Sequence, residues 1–212
     1  MLHLKKFTFN PFSENTYVLY NDSGSAFLID PGNFNEEETR TLQNFIVEKN
    51  LKIKNILLTH AHIDHVLGLQ WAYDTYAVPV LLHEIEKEIL ERNPFTAKQY
   101  GFFFKPFEGE INYIKEGEIL HLDEDELKIY FVPGHSPGHV AFHNEEQKFI
   151  ISGDVLFEGS IGRTDLYKGD FEELLTSIRE NIFTLDEATK VHSGHGNPTT
   201  VQFEKAHNPF LK

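Results

Sequence analysis

The segment 59–65, Thr-His-Ala-His-Ile-Asp-His, constrains this chain more than any other feature. It directly follows the apolar run Ile-Leu-Leu, which is typical of a buried strand. His60 and His62 are two positions apart, so in an extended chain their side chains point to the same side. Asp64 and His65 follow where the chain is predicted to turn helical. Because a strand end followed by a helix start can gather all four side chains around one point, the segment predicts a metal site.

Composition limits the chemistry of that site. The chain has no cysteine, which excludes disulfides, thiolate metal ligands and a cysteine nucleophile. A metal would therefore be held by imidazole and carboxylate groups, a ligand set that suits zinc, iron or manganese. The formal net charge of −14 argues against nucleic acid or an anionic membrane surface as a partner.

The length of 212 residues suits one compact domain, and we predict a single domain over residues 1–212. Residues 1–6 contain no apolar region of the kind found in signal peptides. No apolar run approaches the ~20 residues of a membrane span. A cytoplasmic location is therefore expected, and the sequence makes no prediction of the oligomeric state.

Hydrophobic periodicity predicts mixed α and β structure. Predicted strands cover residues 4–9, 16–19, 26–29, 55–58, 78–82, 127–132, 140–142, 149–152 and 191–193. Predicted helices cover residues 36–49, 66–73, 84–92, 170–183 and 201–206, with Asp170 as an N-cap. The sequence Asn-Asp-Ser-Gly at 21–24 is typical of a hairpin turn. Residues 93–110, rich in phenylalanine, are predicted as an ordered loop or insertion that could cover a cleft, or as packing at a core edge.

Three further segments each end a short apolar strand in a His or Asp close to glycine. They end at His135, Asp154 and His195. Glycine lets the backbone turn sharply and approach a crowded centre. With the four residues of segment 59–65 they make seven nitrogen and oxygen ligands, which are enough for two metals that share one carboxylate.

These motifs, in this order, resemble those of the metallo-β-lactamase superfamily, and they span nearly the whole chain. The resembling motifs are Asp30-Pro31-Gly32, residues 59–65, the His of Pro133-Gly134-His135, Asp154 and Gly194-His195-Gly196. The resemblance implies an α/β (α+β) fold, a four-layer αββα sandwich with the site at one edge of its two sheets.

The same resemblance implies how the ligands are shared between two metals. One metal would be held by His60, His62 and His135. The other would be held by Asp64, His65 and His195. Asp154 would bridge the two.

Within that superfamily the chain looks most like the glyoxalase II group in a short, single-domain form. The segments 159–166, Gly-Ser-Ile-Gly-Arg-Thr-Asp-Leu, and 196–200, Gly-Asn-Pro-Thr-Thr, carry this resemblance, together with the tail from 204 to 210. It implies a hydrolase that cleaves a small-molecule thioester such as hydroxyacylglutathione. Larger glyoxalases II hold glutathione with a C-terminal helical domain that this sequence does not contain, so a different thioester stays open.

The implied cofactors are two divalent metal ions, with zinc expected first and iron or manganese as alternatives. Two cations about 3.5–4 Å apart lower the pKa of a bridging water toward about 7 and polarise a carbonyl. The resulting hydroxide would attack the thioester, and the metals would stabilise the oxyanion. Asp64 is the predicted catalytic residue, because a ligating carboxylate can also orient the hydroxide by accepting its proton.

Four residues are candidates for supporting roles. Asp30 would hold the second ring nitrogen of a ligating histidine, or it is a plain turn residue. Arg163 would bind a substrate carboxylate or lock its own loop by pairing with Asp165, and the locking role is favoured. His139 is expected to pack behind the ligands rather than bind metal, and His83 is expected to be structural.

Other functions compete with thioester hydrolysis. Persulfide dioxygenases resemble the same group and use one iron, for which His60 or His62, with His135 and Asp154, would be the ligands here. A metal-binding scaffold without activity is a third hypothesis, which the complete ligand set disfavours. A β-lactamase is disfavoured because the sequence shows no secretion signal, and a nuclease is disfavoured by the acidic charge.

Overall fold

The computed structural model describes residues 1–212 as two compact units. The N-terminal unit comprises Met1–Ile114 and His121–Asp125. The C-terminal unit comprises Lys115–Leu120 and Glu126–Lys212. No helix in the chain is both long enough and apolar enough to cross a membrane.

The N-terminal unit is built on a six-stranded sheet in which the strands lie in chain order. The strands are β1 (Leu2–Phe9), β2 (Glu14–Asn21), β3 (Ser25–Ile29), β4 (Lys52–Leu57), β5 (Val80–His83) and β6 (Ile111–Ile114). The first three pair antiparallel, and β3 to β6 pair parallel. All five residues of β3 are buried, which explains why it reads as a continuous apolar run rather than an alternation. The predicted turn is present, with Gly24 donating its backbone N–H to the carbonyl of Asn21 over 3.0 Å.

Four helices belong to this unit. They are α1 (Glu36–Glu48), α2 (Ile63–Val66), α3 (Leu69–Tyr76) and α4 (Glu86–Tyr100). Helix α1 starts where the side chain of Asn35 accepts a hydrogen bond from the N–H of Glu38, and acidic residues fill its first turn. Its buried residues Leu42 and Ile46 join an apolar core formed with strands of the sheet.

Helix α4 is longer than the sequence predicts. The prediction ended this helix near Arg92 and assigned residues from 93 onward to a loop, whereas the helix continues through Pro94 to Tyr100. Pro94 is exposed, so its ring is accommodated on the outer face of the helix. The helix ends at Gly101, whose left-handed backbone (φ 73°) suits a C-terminal cap. Only the remainder of the segment, up to β6, is irregular.

The second sheet has the strand order β14-β13-β10-β9-β8-β7, and a two-stranded hairpin, β11 with β12, accompanies it. The strands are β7 (Ile119–Leu122), β8 (Asp125–Phe131), β9 (Val140–Asn144), β10 (Phe149–Gly153), β11 (Leu156–Phe157), β12 (Ser160–Ile161), β13 (Lys190–Ser193) and β14 (Thr199–Thr200). Strands β10 and β13 pair parallel, so their carboxyl ends lie side by side.

The helices of the C-terminal unit are α5 (Phe171–Ser177) and α6 (Val201–His207). The predicted cap is confirmed, because the Asp170 side chain accepts a hydrogen bond from the N–H of Glu173. The predicted helix 170–183 is regular only as far as Ser177, and the turn Ile178–Ile182 that follows it is π-helical. Together, the two sheets and their helices confirm the mixed α/β class, although β6, β7, β11, β12 and β14 are absent from the predicted strands.

Candidate metal centre

The N-terminal unit brings the four candidate ligands of segment 59–65 together just beyond the end of β4. The rings of His60 and His62 are 4.8 Å apart and nearly perpendicular, and the rings of His60 and His65 are 4.1 Å apart. An oxygen of Asp64, the first acidic residue of α2, lies 3.8 Å from Nε2 of His65. His60 and His65 are buried and His62 is half-buried, so water competes little for the inner nitrogens.

Asp30, at the end of β3, supports two of these histidines. Its Oδ1 accepts the backbone N–H of Thr59 over 2.8 Å, and its Oδ2 accepts the Thr59 hydroxyl over 2.6 Å. The same Oδ2 lies 3.1 Å from Nδ1 of His65, and a carboxylate can only accept there. The Thr59 hydroxyl is 3.1 Å from Nδ1 of His60. Because Nδ1 is engaged in both rings, Nε2 is the nitrogen that would bind a metal.

Asn10 fixes the backbone around Asp64. Its side-chain amide donates to the carbonyls of Gly32 and Asp64, both over 2.9 Å. Gly32 leaves no room for a side chain, because a Cβ there would collide with the Glu14 carboxylate and the Asp64 carbonyl. The Asp30–Gly32 turn is therefore packed directly against the start of α2.

Glu14 is a buried carboxyl group beneath the histidines. It is fully inaccessible, and one of its oxygens lies 3.9 Å from Nδ1 of His65. Burial raises the pKa of the Glu14 carboxyl well above its usual range, while the nearby His65 acts in the opposite direction. The Thr16 hydroxyl donates to the other Glu14 oxygen over 2.9 Å.

The C-terminal unit contains three further candidate ligands, two of which directly follow the ends of neighbouring strands. Asp154 follows β10 and His195 follows β13. Parallel pairing of these strands, continued by a 2.8 Å hydrogen bond from the Gly194 N–H to the Gly153 carbonyl, brings the two residues to one edge of the sheet. His135 lies in the loop after β8.

Within this unit, Asp154 stands between two imidazoles. Its Oδ2 is 3.5 Å from Nε2 of His135 and 3.4 Å from Nε2 of His195. These separations are longer than ordinary N–H···O hydrogen bonds. They match the spacing of about 3.4 Å expected for two ligands about 2.1 Å from one tetrahedral zinc ion. The spacing therefore fits an Asp154 carboxylate that would bind a divalent cation together with either ring.

Hydrogen bonds with other residues of this unit orient His135 and Asp154. Nδ1 of His135 donates to the carbonyl of Arg163 over 2.7 Å, which turns Nε2 of His135 toward Asp154. His139 is buried, and its Nε2 accepts the backbone N–H of Asp154 over 3.1 Å. This nitrogen is therefore committed to a protein donor, in agreement with a supporting role for His139.

Arg163 pairs with Asp165 through two hydrogen bonds of 2.7 Å, one from Nε and one from a terminal nitrogen. These hydrogen bonds from Arg163 lower the pKa of the Asp165 carboxyl to about 2. The pairing corresponds to the favoured locking role, and the Arg163 side chain remains more than half exposed.

Several residues that contact the ligand segments were missed in the sequence. Glu86 and Asn93 of α4 bind the backbone of Ala61, between His60 and His62. The spacing of these residues in the sequence does indicate that they are buried. The buried residues of α4 are 86, 89, 90, 93 and 97, so Glu86 and Asn93 lie on a helical stripe that is otherwise apolar.

Comparison with known proteins accounts for this combination of fold and ligands. The family model described as the metallo-beta-lactamase superfamily matches residues 9–195. The chain belongs to the metallo-β-lactamase superfamily. Its membership agrees with the coarse function expected from the sequence, a metal-dependent hydrolase.

Three proteins are similar to this superfamily member over nearly the whole chain. Hydroxyacylglutathione hydrolase GloC of Haemophilus influenzae is 39% identical over 202 residues, which are 94% of this chain and 93% of the relative. The crystal structure of BLEG-1, a B3 metallo-beta-lactamase, has a TM-score of 0.91 and 37% identity, covering 99% of this chain and 100% of that one. The structure of TTHA1623 in a di-iron-bound form has a TM-score of 0.88 and 35% identity, with coverages of 98% and 100%.

Proposed function

We propose that this protein is a metal-dependent hydrolase that cleaves a thioester, with hydroxyacylglutathione as the first candidate substrate. The observation that carries the proposal is the Asp154 carboxylate, whose Oδ2 lies at ligand spacing from both His135 and His195. Similarity to GloC along nearly the whole chain supports the choice of substrate class.

The proposal assigns the seven ligands to two divalent ions. One ion would be held by His60, His62 and His135. The other would be held by Asp64, His65 and His195. Asp154 would be shared between them. Zinc is the first candidate because imidazole and carboxylate ligands suit it, and iron is the second because the similar TTHA1623 was obtained in a di-iron form.

When bound, two such ions supply a water of lowered pKa and polarise the carbonyl under attack. The residues of the chain supply position and a proton acceptor. Asp64, whose backbone is held by Asn10, accepts the proton of the attacking water on its carboxylate. Asp30 keeps Nε2 of His65 directed inward by accepting from Nδ1. A thiolate is a good leaving group, so the reaction needs no strong acid near the sulfur.

The proposal is tested by thiol release from S-D-lactoylglutathione by the purified, metal-loaded protein. We expect release that a chelator abolishes and added metal restores. Absence of release by the metal-loaded protein would reject glutathione thioesters. Acyl-thioesters of other thiols, assayed in the same way, then decide whether the thioester class itself is wrong.

β-Lactam hydrolysis is a second candidate, because the similar BLEG-1 is a B3 metallo-beta-lactamase. Hydrolysis of a chromogenic cephalosporin by the same metal-loaded preparation tests it. We expect a lower kcat/KM on the cephalosporin than on the thioester. The reverse ranking would make the β-lactam the better assignment.

Three sequence-based expectations belong to the same proposal: a small-molecule substrate, no nucleic-acid or membrane partner, and a cytoplasmic location.

The iron-dependent oxidoreductase alternative is tested by oxygen uptake with glutathione persulfide and the iron-loaded protein. Uptake at a rate exceeding thiol release would favour that alternative.

A further inference from the structure

Helix α4 binds the single residue that separates His60 from His62. The backbone N–H of Ala61 donates to Oε2 of Glu86 over 2.8 Å. The side-chain amide of Asn93 donates to the Ala61 carbonyl, also over 2.8 Å. Glu86 and Asn93 are 0% and 2% exposed, and Ala61 is buried as well, so water does not compete for either bond.

These two hydrogen bonds lie just beyond the last hydrogen bond between β4 and β5. Strand β4 pairs with β5, and the last such bond runs from the N–H of Leu58 to the carbonyl of Leu81 over 3.0 Å. Beyond it, Ala61 has side chains of α4 as its partners. Glu86 and Asn93 are seven positions apart, which is two helical turns, so both point from one face of the helix.

The two hydrogen bonds restrain the backbone of Ala61. Because its N–H and its C=O are both held by side chains of α4, rotation at the residue that links His60 to His62 would break the bond to Glu86 or to Asn93. The next residue, His62, is extended, with φ −63° and ψ 152°.

We propose that Glu86 and Asn93 are positioning residues that set the relative orientation of His60 and His62. The inference rests on the proposed function, since it takes both histidines as ligands of one ion. The two rings stand 4.8 Å apart and nearly perpendicular, an arrangement that rotation about the Ala61 backbone would destroy. A buried carboxylate is costly to hold in a helix, and here its oxygen satisfies a backbone donor between two metal-binding side chains.

The test measures metal affinity by competition with a chromophoric chelator, together with the visible spectrum of the cobalt-substituted protein. Asn93→Ala removes the donor to Ala61, and we expect the affinity for one of two ions to fall by about 10- to 100-fold with an altered cobalt spectrum. Glu86→Gln retains an acceptor oxygen for the Ala61 N–H and should lose less affinity than Asn93→Ala. Glu91→Gln makes the same substitution at an exposed position of α4 and is the matched control.

Thermal unfolding of the metal-free proteins separates positioning from folding. Wild-type affinity and spectrum in Asn93→Ala, with only a lower Tm, would overturn the positioning role and leave the proposed function intact. Failure of the wild type to bind metal would overturn both. If Asn93→Ala does not fold, the isosteric Asn93→Asp, which cannot donate to the Ala61 carbonyl, takes its place with the same expected loss.

Discussion

Replacing Asp30 with asparagine should weaken both folding and metal binding. Asparagine fits the left-handed backbone of position 30 (φ 49°) about as well as aspartate does, so the backbone is not strained. Its carbonyl oxygen can still accept the Thr59 N–H. Its amide nitrogen, in the place of Oδ2, cannot accept from the Thr59 hydroxyl or from His65.

The magnitude follows from those contacts. Loss of the 2.6 Å bond from the Thr59 hydroxyl to a charged acceptor should lower the free energy of unfolding by about 1.5–3 kcal/mol. The new amide would donate to Nδ1 of His65, which places the ring proton on Nε2, the nitrogen proposed to bind metal. Loss of such a supporting partner typically costs about 10- to 100-fold in metal affinity.

The assay is metal competition on wild type, Asp30→Asn and Asp123→Asn, with denaturant unfolding of each metal-free protein. Asp123 is a matched control: it also has a left-handed backbone (φ 55°) and accepts side-chain hydrogen bonds, from Asn21 and Ser23. We expect reduced affinity only in Asp30→Asn. Equal affinity in all three proteins would refute the argument that Asp30 sets the His65 tautomer.

Three further substitutions test other parts of the structure. Arg163→Ala should return the pKa of Asp165 from about 2 toward its usual 3.8, as followed by NMR titration. Because the folded-state pKa is depressed, the pair stabilises the fold above about pH 3.8, and this difference from wild type should vanish as the pH falls toward 2. Asp170→Ala removes a helix cap and should cost about 1 kcal/mol in denaturant unfolding, where no change would contradict the capping role. Gly32→Ala should destabilise by about 1–3 kcal/mol because its Cβ meets the Glu14 carboxylate, and wild-type stability would show that the turn can yield.

The sequence predicts most of the strands and the turns that carry the candidate ligands, because those features are local. At Asp154 and His195, the pattern of a buried strand that ends in a candidate ligand close to glycine can be recognised from neighbouring residues alone. The hairpin turn at 21–24 and the Asp170 cap were likewise predicted from short-range chemistry.

The supporting contacts were not predicted because they join segments far apart in the sequence. Glu86 lies in the charged stretch Glu-Ile-Glu-Lys-Glu, where a solvent-facing carboxylate is the ordinary interpretation, yet it is fully buried against Ala61. Asn93 precedes a proline, a combination that usually ends a helix, and here the helix continues. Tertiary contacts outweighed the local preference in both cases.

The number of metal ions per chain tests the central claim most directly. Metal content of wild type and Asp154→Ala is to be measured by plasma mass spectrometry after loading with zinc and gel filtration. The account predicts two ions per wild-type chain and the loss of at least one in the variant, because the removed carboxylate is shared. A single ion in the wild type, or two in Asp154→Ala, would contradict it.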